Sequence, residues 1–171
     1  MTPVSLLRVD GLSKRFGGLR AIENLSFEVR PGSVHAIIGP NGAGKTTLLN
    51  LLSGLHAPDA GRIAVDGQDL TGQPAHRFAA AGLARTFQNL QVFFNMTALD
   101  NVMTGRHLRE SHALLPALLR LEPMVWAERA SRARALELMQ QVGLGAWAGA
   151  RADPLPYGAL KRLEIARALA L

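Results

Sequence analysis

Residues 39–46 read Gly-Pro-Asn-Gly-Ala-Gly-Lys-Thr, and this octet constrains the fold of the chain more than any other stretch. It matches G-x-x-x-x-G-K-[ST] at every fixed position, a turn that joins a strand to a helix. The flanks fit that order. Val34-His35-Ala36-Ile37-Ile38 is a short apolar run of strand type, and Thr47 to Leu52 continues as a helix. Gly39, Gly42 and Gly44 let the backbone take conformations closed to residues with a Cβ, so consecutive N–H groups can face one concavity. A helix beginning near Lys45 adds its positive end beneath that concavity. Lys45 supplies a point charge for phosphate oxygens, and the Thr46 hydroxyl is placed to hold Mg²⁺. Together with Pro40, Asn41, Ala43 and Thr47, these residues form a candidate site for a nucleoside triphosphate and Mg²⁺. The competing reading is a glycine-rich turn with no ligand.

Around the octet the amino-terminal part reads as strands. Leu6 to Asp10 and Leu12 to Phe16 alternate and meet a Gly17-Gly18 turn; Leu25 to Val29 alternates and closes at Arg30-Pro31-Gly32. Gly61 to Val65 leads into Asp66-Gly67, a hairpin signal. A short strand is expected over Leu83 to Phe87, with Gln88-Asn89 in a loop. From Thr97 onward helices dominate. Thr97 can cap a helix with Asp100 three residues on. Ala135, Leu138, Met139 and Val142 fall on one helical face, and Gly143 and Gly145 end that helix. Residues 106–125 contain two prolines and read as an irregular connection.

Composition narrows the function classes. With 171 residues and 48% apolar content the chain can bury a substantial core. It has no cysteine, which excludes disulfides and thiolate chemistry. Met1 to Asp10 lacks the pattern of a secretory signal. The nearest approach to a membrane span, Ala113 to Leu121, is short and broken by Pro116 and Arg120. The net charge of +6 is scattered. Its densest cluster, Arg129, Arg132 and Arg134, lies beside Glu128 and Glu137 without interleaved aromatics, so a solvated helix face is expected and nucleic acid is not. His35, His56, His76, His107 and His112 have no ligand-type spacing and read as structural or exposed.

Three further segments, in their order around the phosphate loop, resemble ATP-binding cassette (ABC) ATPases. Phe16, in Lys14-Arg15-Phe16-Gly17-Gly18, matches the aromatic position that in the family stacks on adenine, with a core Phe on a strand as the alternative reading. Arg85-Thr86-Phe87-Gln88-Asn89 resembles the family's glutamine loop. The resemblance implies that Gln88 touches Mg²⁺ or the attacking water and links nucleotide state to the membrane partner. Leu155-Pro156-Tyr157-Gly158-Ala159, followed by Leu160 to Leu169, resembles the signature segment and its helix. In a dimer that helix end would face the γ-phosphate held by the other subunit. The segment departs from the common Leu-Ser-Gly-Gly-Gln form. Pro156 replaces Ser and so loses a hydroxyl and an N–H, Tyr157 replaces Gly, and Ala159 replaces Gln. The Tyr-Gly signature followed by Arg162-Leu163-Glu164-Ile165-Ala166-Arg167 resembles the ATPase subunits of branched-chain amino acid importers. So does Arg85 to Gln88 continuing into Phe93-Phe94-Asn95-Met96-Thr97 and Asn101-Val102.

The resemblance implies an α/β fold: an amino-terminal antiparallel β-subdomain and a P-loop NTPase core (together residues 1–88), then an α-helical subdomain running through the signature helix (89–171). Its central sheet is expected to be incomplete. It also implies an ATP-binding, energy-coupling importer subunit at the cytoplasmic face of the membrane. The implied partners are a second identical or paralogous ATPase subunit, transmembrane permease subunits and, indirectly, a periplasmic or extracellular solute-binding protein. Family members continue into an apolar strand ending in Asp and Glu and then a switch His, none of which occurs in this sequence. The expectation is a carboxy-terminally truncated copy that binds ATP–Mg²⁺ weakly, hydrolyses it poorly and has low stability. A non-hydrolytic nucleotide-binding module is the alternative of a different class. A small kinase fits poorly, lacking the strand-rich opening and the Tyr-Gly helix.

Overall fold

The computed structural model describes residues 5–109 and 122–171. Contacts divide the chain into two compact units, 1–83 and 84–171. The apolar run at 113–121 and His112 lie outside the described residues.

The first unit is built on an antiparallel sheet whose strands lie in the order Leu19–Val29, Leu7–Phe16, Ala60–Val65, Gln68–Asp69. Strand β1 (Leu7–Phe16) turns at Gly17-Gly18 into β2 (Leu19–Val29). On its other side β1 pairs with β3 (Ala60–Val65), and β3 turns through Asp66-Gly67 into β4 (Gln68–Asp69). Asp66 and Gly67 take φ of 47° and 77°, the pair of left-handed residues that a type I′ hairpin demands. Val9 stands opposite both Phe27 and Ile63, so one face of three strands shares a row of apolar side chains. That row meets helix α1 (Lys45–Leu52) and helix α2 (Ala75–Ala80). The resulting core comprises Val9, Leu12, Ile22, Leu48, Leu51, Leu52, Ile63, Val65, Leu70 and Phe78.

Two expected strands are absent. Residues 34–38 form no ladder, and Val34 and Ile38 are almost fully exposed. An apolar run of this kind suits a strand buried on both faces, which exists only with strands alongside it. Among the described residues none pairs with it. Residues 83–87 are likewise irregular. They are held by contacts of other kinds, such as the Leu83 N–H donated to the Phe78 carbonyl at 3.0 Å.

The second unit is helical. Thr97 caps helix α3 (Ala98–Thr104): its Oγ1 accepts the Asp100 N–H at 3.1 Å and its hydroxyl donates to the Asp100 carboxylate. A 3₁₀ turn follows at His107–Arg109. Helix α4 (Glu122–Gln141) begins inside the stretch read as irregular. Pro123 falls in its first turn, where a missing N–H costs no intrahelical bond. Ala135, Leu138 and Met139 are buried and Val142 packs beside them, while Arg129, Arg132 and Arg134 stay exposed. A second 3₁₀ turn (Gly145–Trp147) leads towards helix α5 (Tyr157–Leu169). Leu155, Ala159, Leu160, Leu163 and Ala166 complete a core with α3 and α4.

Candidate functional site

In the first unit the phosphate-loop residues and the aromatic candidate come together. Phe16, Asn41, Gly42, Ala43, Gly44, Lys45, Thr46 and Thr47 line one cleft of about 320 Å³. Gly42 and Gly44 take φ of 84° and 81°, in the left-handed region where a Cβ is strained. Gly44 has a second reason to be glycine, since a Cβ there would run into the Ala21 carbonyl of β2. Gly39 differs from both: its φ is ordinary, and what favours glycine is closeness, a Cβ lying 3.1 Å from that of Ala43.

Lys45 opens α1, and its Nζ donates to the carbonyls of Gly39 and Pro40 at 2.6 and 2.7 Å. The ammonium therefore spans the loop it belongs to, and Thr46 beside it is exposed. Phe16, 43% exposed at the end of β1, is met edge-on by His56 at 5.5 Å, and the Lys14 ammonium lies 5.6 Å from its ring. Asp59 fixes that strand end. It accepts from Lys14 Nζ at 2.8 Å and from the Arg15 N–H at 2.7 Å, which together hold its pKa below the usual carboxylate range. His35 stacks on Phe27 at 5.3 Å, and no cluster of metal-ligating side chains occurs among the described residues.

The other candidates belong to the second unit. Gln88 sits in an irregular, exposed segment. Pro156 is the N-cap of α5 and carries no side-chain acceptor for the first N–H groups; its carbonyl takes the Ala159 N–H at 2.8 Å. Leu155 and Ala159 are core residues, so the exposed part of the signature segment is Pro156, Tyr157 and Gly158.

Sequence reasoning missed the residues that hold Gln88. Lys161 Nζ donates to the carbonyls of Phe87 and Gln88, both at 3.0 Å, and to Glu164 Oε2 at 3.0 Å. Glu164 Oε1 accepts the Gln91 N–H at 2.6 Å. Asn101 of α3 accepts the Phe93 N–H at 2.8 Å and donates to the carbonyls of Phe93 and Thr97. A signal was available: Glu164 is an acid placed four residues after Leu160, on the helical face that otherwise carries apolar side chains. Nearby, burial pushes the Arg167 guanidinium pKa down, against the opposing pull of Glu164.

The sheet-plus-loop unit and the helical unit define a P-loop NTPase cassette, and comparison with known proteins assigns the family. The model of the ABC transporter family matches residues 22–171. The chain belongs to that family. It is 39% identical, over 96% of its own length, to the high-affinity branched-chain amino acid transport ATP-binding proteins BraF of Pseudomonas aeruginosa and LivG of Escherichia coli K12. It spans 64% of the length of each of those curated relatives. The ribose import ATP-binding protein RbsA of Hahella chejuensis is 34% identical over 98% of the chain, which spans 31% of that protein. Among solved structures, the ADP conformation of MJ1267, an ATP-binding cassette of an ABC transporter, superposes with a TM-score of 0.79 at 32% identity. That match covers 97% of this chain and 65% of the other. The dimeric structure of MJ0796, a bacterial ABC transporter cassette, gives 0.75 at 26% identity, covering 96% and 69%. Among the described residues no helix is long and apolar enough to cross a membrane.

Proposed function

We propose that this chain carries the nucleotide-binding part of the energy-coupling subunit of an importer, with branched-chain amino acids or related solutes as cargo. One observation carries the reading. The loop from Gly39 to Thr46, curled by left-handed Gly42 and Gly44, presents Lys45 and Thr46 at the head of α1 in one cleft with Phe16. The donor set fits ATP and Mg²⁺. A loop that holds a cation against its own carbonyls offers that cation to phosphate oxygens, trading two neutral acceptors for anionic ones. In this reading Lys45 binds phosphate and Thr46 offers its hydroxyl to Mg²⁺. Loop N–H groups orient the phosphates, and Phe16 stacks on adenine. Bound ATP–Mg²⁺ would supply the phosphoryl group and the charge that hydrolysis needs.

Gln88 is the residue we assign to sensing nucleotide state, and Pro156 to Gly158 the segment that meets nucleotide held by a second subunit, identical or paralogous. The half-exposed Phe93 and Phe94 next to the Gln88 loop suit a permease surface, with the solute-binding protein acting beyond it. In this reading the chain works at the cytoplasmic face of the membrane.

Calorimetric titration with Mg-ATP tests the site. Lys45→Ala is expected to weaken binding about 10- to 100-fold, the worth of one lost charge-assisted hydrogen bond. Equal affinity in variant and parent would overturn the assignment.

A further inference from the structure

A carboxylate taken out of water is costly unless its oxygens are partnered. Glu164 is only 2% exposed, and each of its oxygens has a partner: the Gln91 N–H on one and the Lys161 ammonium on the other. The same ammonium spends its remaining donors on the carbonyls of Phe87 and Gln88. Lys161 also lies 5.8 Å from the ring of Tyr157, one turn back along α5. These contacts bind backbone groups of a segment that has no ladder or helix of its own. Packing alone would be served by an apolar residue at 164, as it is at Leu160 and Leu163. A charge-assisted bond to backbone adds direction and a fixed register, which apolar contact does not. Asn101, 1% exposed, fastens the same segment at Phe93 to α3.

We propose that Lys161 and Glu164 are positioning residues for Gln88: they tie the backbone of residues 87–91 to α5, so that the loop and the helix beginning at Tyr157 shift as one body when nucleotide state changes. The proposal rests on the reading of Gln88 as nucleotide-responsive. It makes the Lys161–Glu164 pair the element by which the loop and the signature turn are read together.

Amide hydrogen exchange on the full chain tests the tie without nucleotide. Glu164→Ala is expected to speed exchange at Gln91 about tenfold or more, the factor for one charge-assisted hydrogen bond, with α4 amides unchanged. Glu164→Gln keeps an acceptor oxygen and is expected to recover most of the protection. Should Glu164→Ala fail to fold, Lys161→Met, which keeps the apolar stem at a half-buried position, is expected to loosen residues 88–91. Unchanged exchange there overturns the tie.

A second arm adds Mg-ATP. In the parent, exchange at 88–91 and at 157–163 is expected to change with one midpoint. In Lys161→Met, ATP affinity is expected to stay within about threefold while 157–163 no longer follows. A joint response that survives in Lys161→Met leaves the pair a purely structural role and overturns the proposal. If the parent binds no ATP in a Lys45-dependent way, the nucleotide reading falls, and the ligand-free arm still decides whether the pair holds the loop.

Discussion

Gly42 and Gly44 offer a controlled pair, because their backbones are strained alike and their surroundings differ. Both sit near φ 80°, with nothing within 4 Å of a Cβ at Gly42 and the Ala21 carbonyl in the way at Gly44. Alanine at either position incurs about 1–2 kcal/mol for the left-handed backbone. It recovers about 0.4–1 kcal/mol from the stiffer unfolded chain. Gly42→Ala should therefore cost about 1 kcal/mol. Gly44→Ala adds an overlap that β2 cannot relieve by rotating a side chain, because the obstacle is a backbone carbonyl in a paired strand. Overpacking of that sort costs about 1–3 kcal/mol, which brings the total to about 2–4 kcal/mol. Against a total stability of about 5–15 kcal/mol the second variant is severe and the first is mild. Urea unfolding of both proteins, followed by far-ultraviolet circular dichroism at one pH, measures the difference directly. Equal losses, within about 0.5 kcal/mol, would refute the close approach of β2 to the head of α1. The cleft shared by Phe16 and the phosphate loop would then lose its physical basis.

Asn101→Ala removes the acceptor of the Phe93 N–H and one of two donors to the Phe93 carbonyl, which keeps the Met96 N–H, and is expected to cost about 1–2 kcal/mol in thermal unfolding. Thr97→Ala, which removes the cap of α3, should cost about 1 kcal/mol in the same assay. Acid should weaken the first unit through two carboxylates. Lys14 and the Arg15 N–H hold Asp59 below its ordinary pKa, and the Thr71 hydroxyl and N–H do the same for Asp69. With folded values depressed, their contribution is whole above the ordinary value near pH 4 and drains away as pH falls through each folded value. Carboxyl carbon shifts followed by NMR against pH check this, and midpoints at or above about 4 for both would contradict it.

What the sequence made legible in the fold was local. The turn at Gly17-Gly18, the Asp66-Gly67 hairpin, the Thr97 cap and the apolar face of α4 depend on neighbours within a few residues, and all appear where expected. The first half of β2 was not legible. Its register against β1 shifts around Leu12 and Lys14, and Asn24 takes a φ of 47°, so the alternation that marks a strand is broken. Residues 34–38 were misread for the complementary reason. Their apolar content is right for a strand, but a strand is a relation between segments, and an apolar run carries no information about whether its neighbours are there.

The same distinction separates the phosphate loop of the first unit from the Gln88 segment of the second. The phosphate loop closes on itself: Lys45 bonds the carbonyls of Gly39 and Pro40, and the left-handed turns lie inside the octet. Residue type and spacing therefore specify its conformation almost completely. The Gln88 segment is held from outside, by Glu164 at a separation of 73 residues and Lys161 at 73 and 74. Nothing local to Arg85–Asn89 encodes that restraint: the resemblance picks out Gln88, but not the distant side chains that hold its backbone. The cost of burying Glu164 without Lys161 and the Gln91 N–H makes the three groups interdependent. Substituting Lys161 should therefore disturb Glu164 and the loop together, and a double-mutant cycle between positions 161 and 164 is expected to be strongly non-additive.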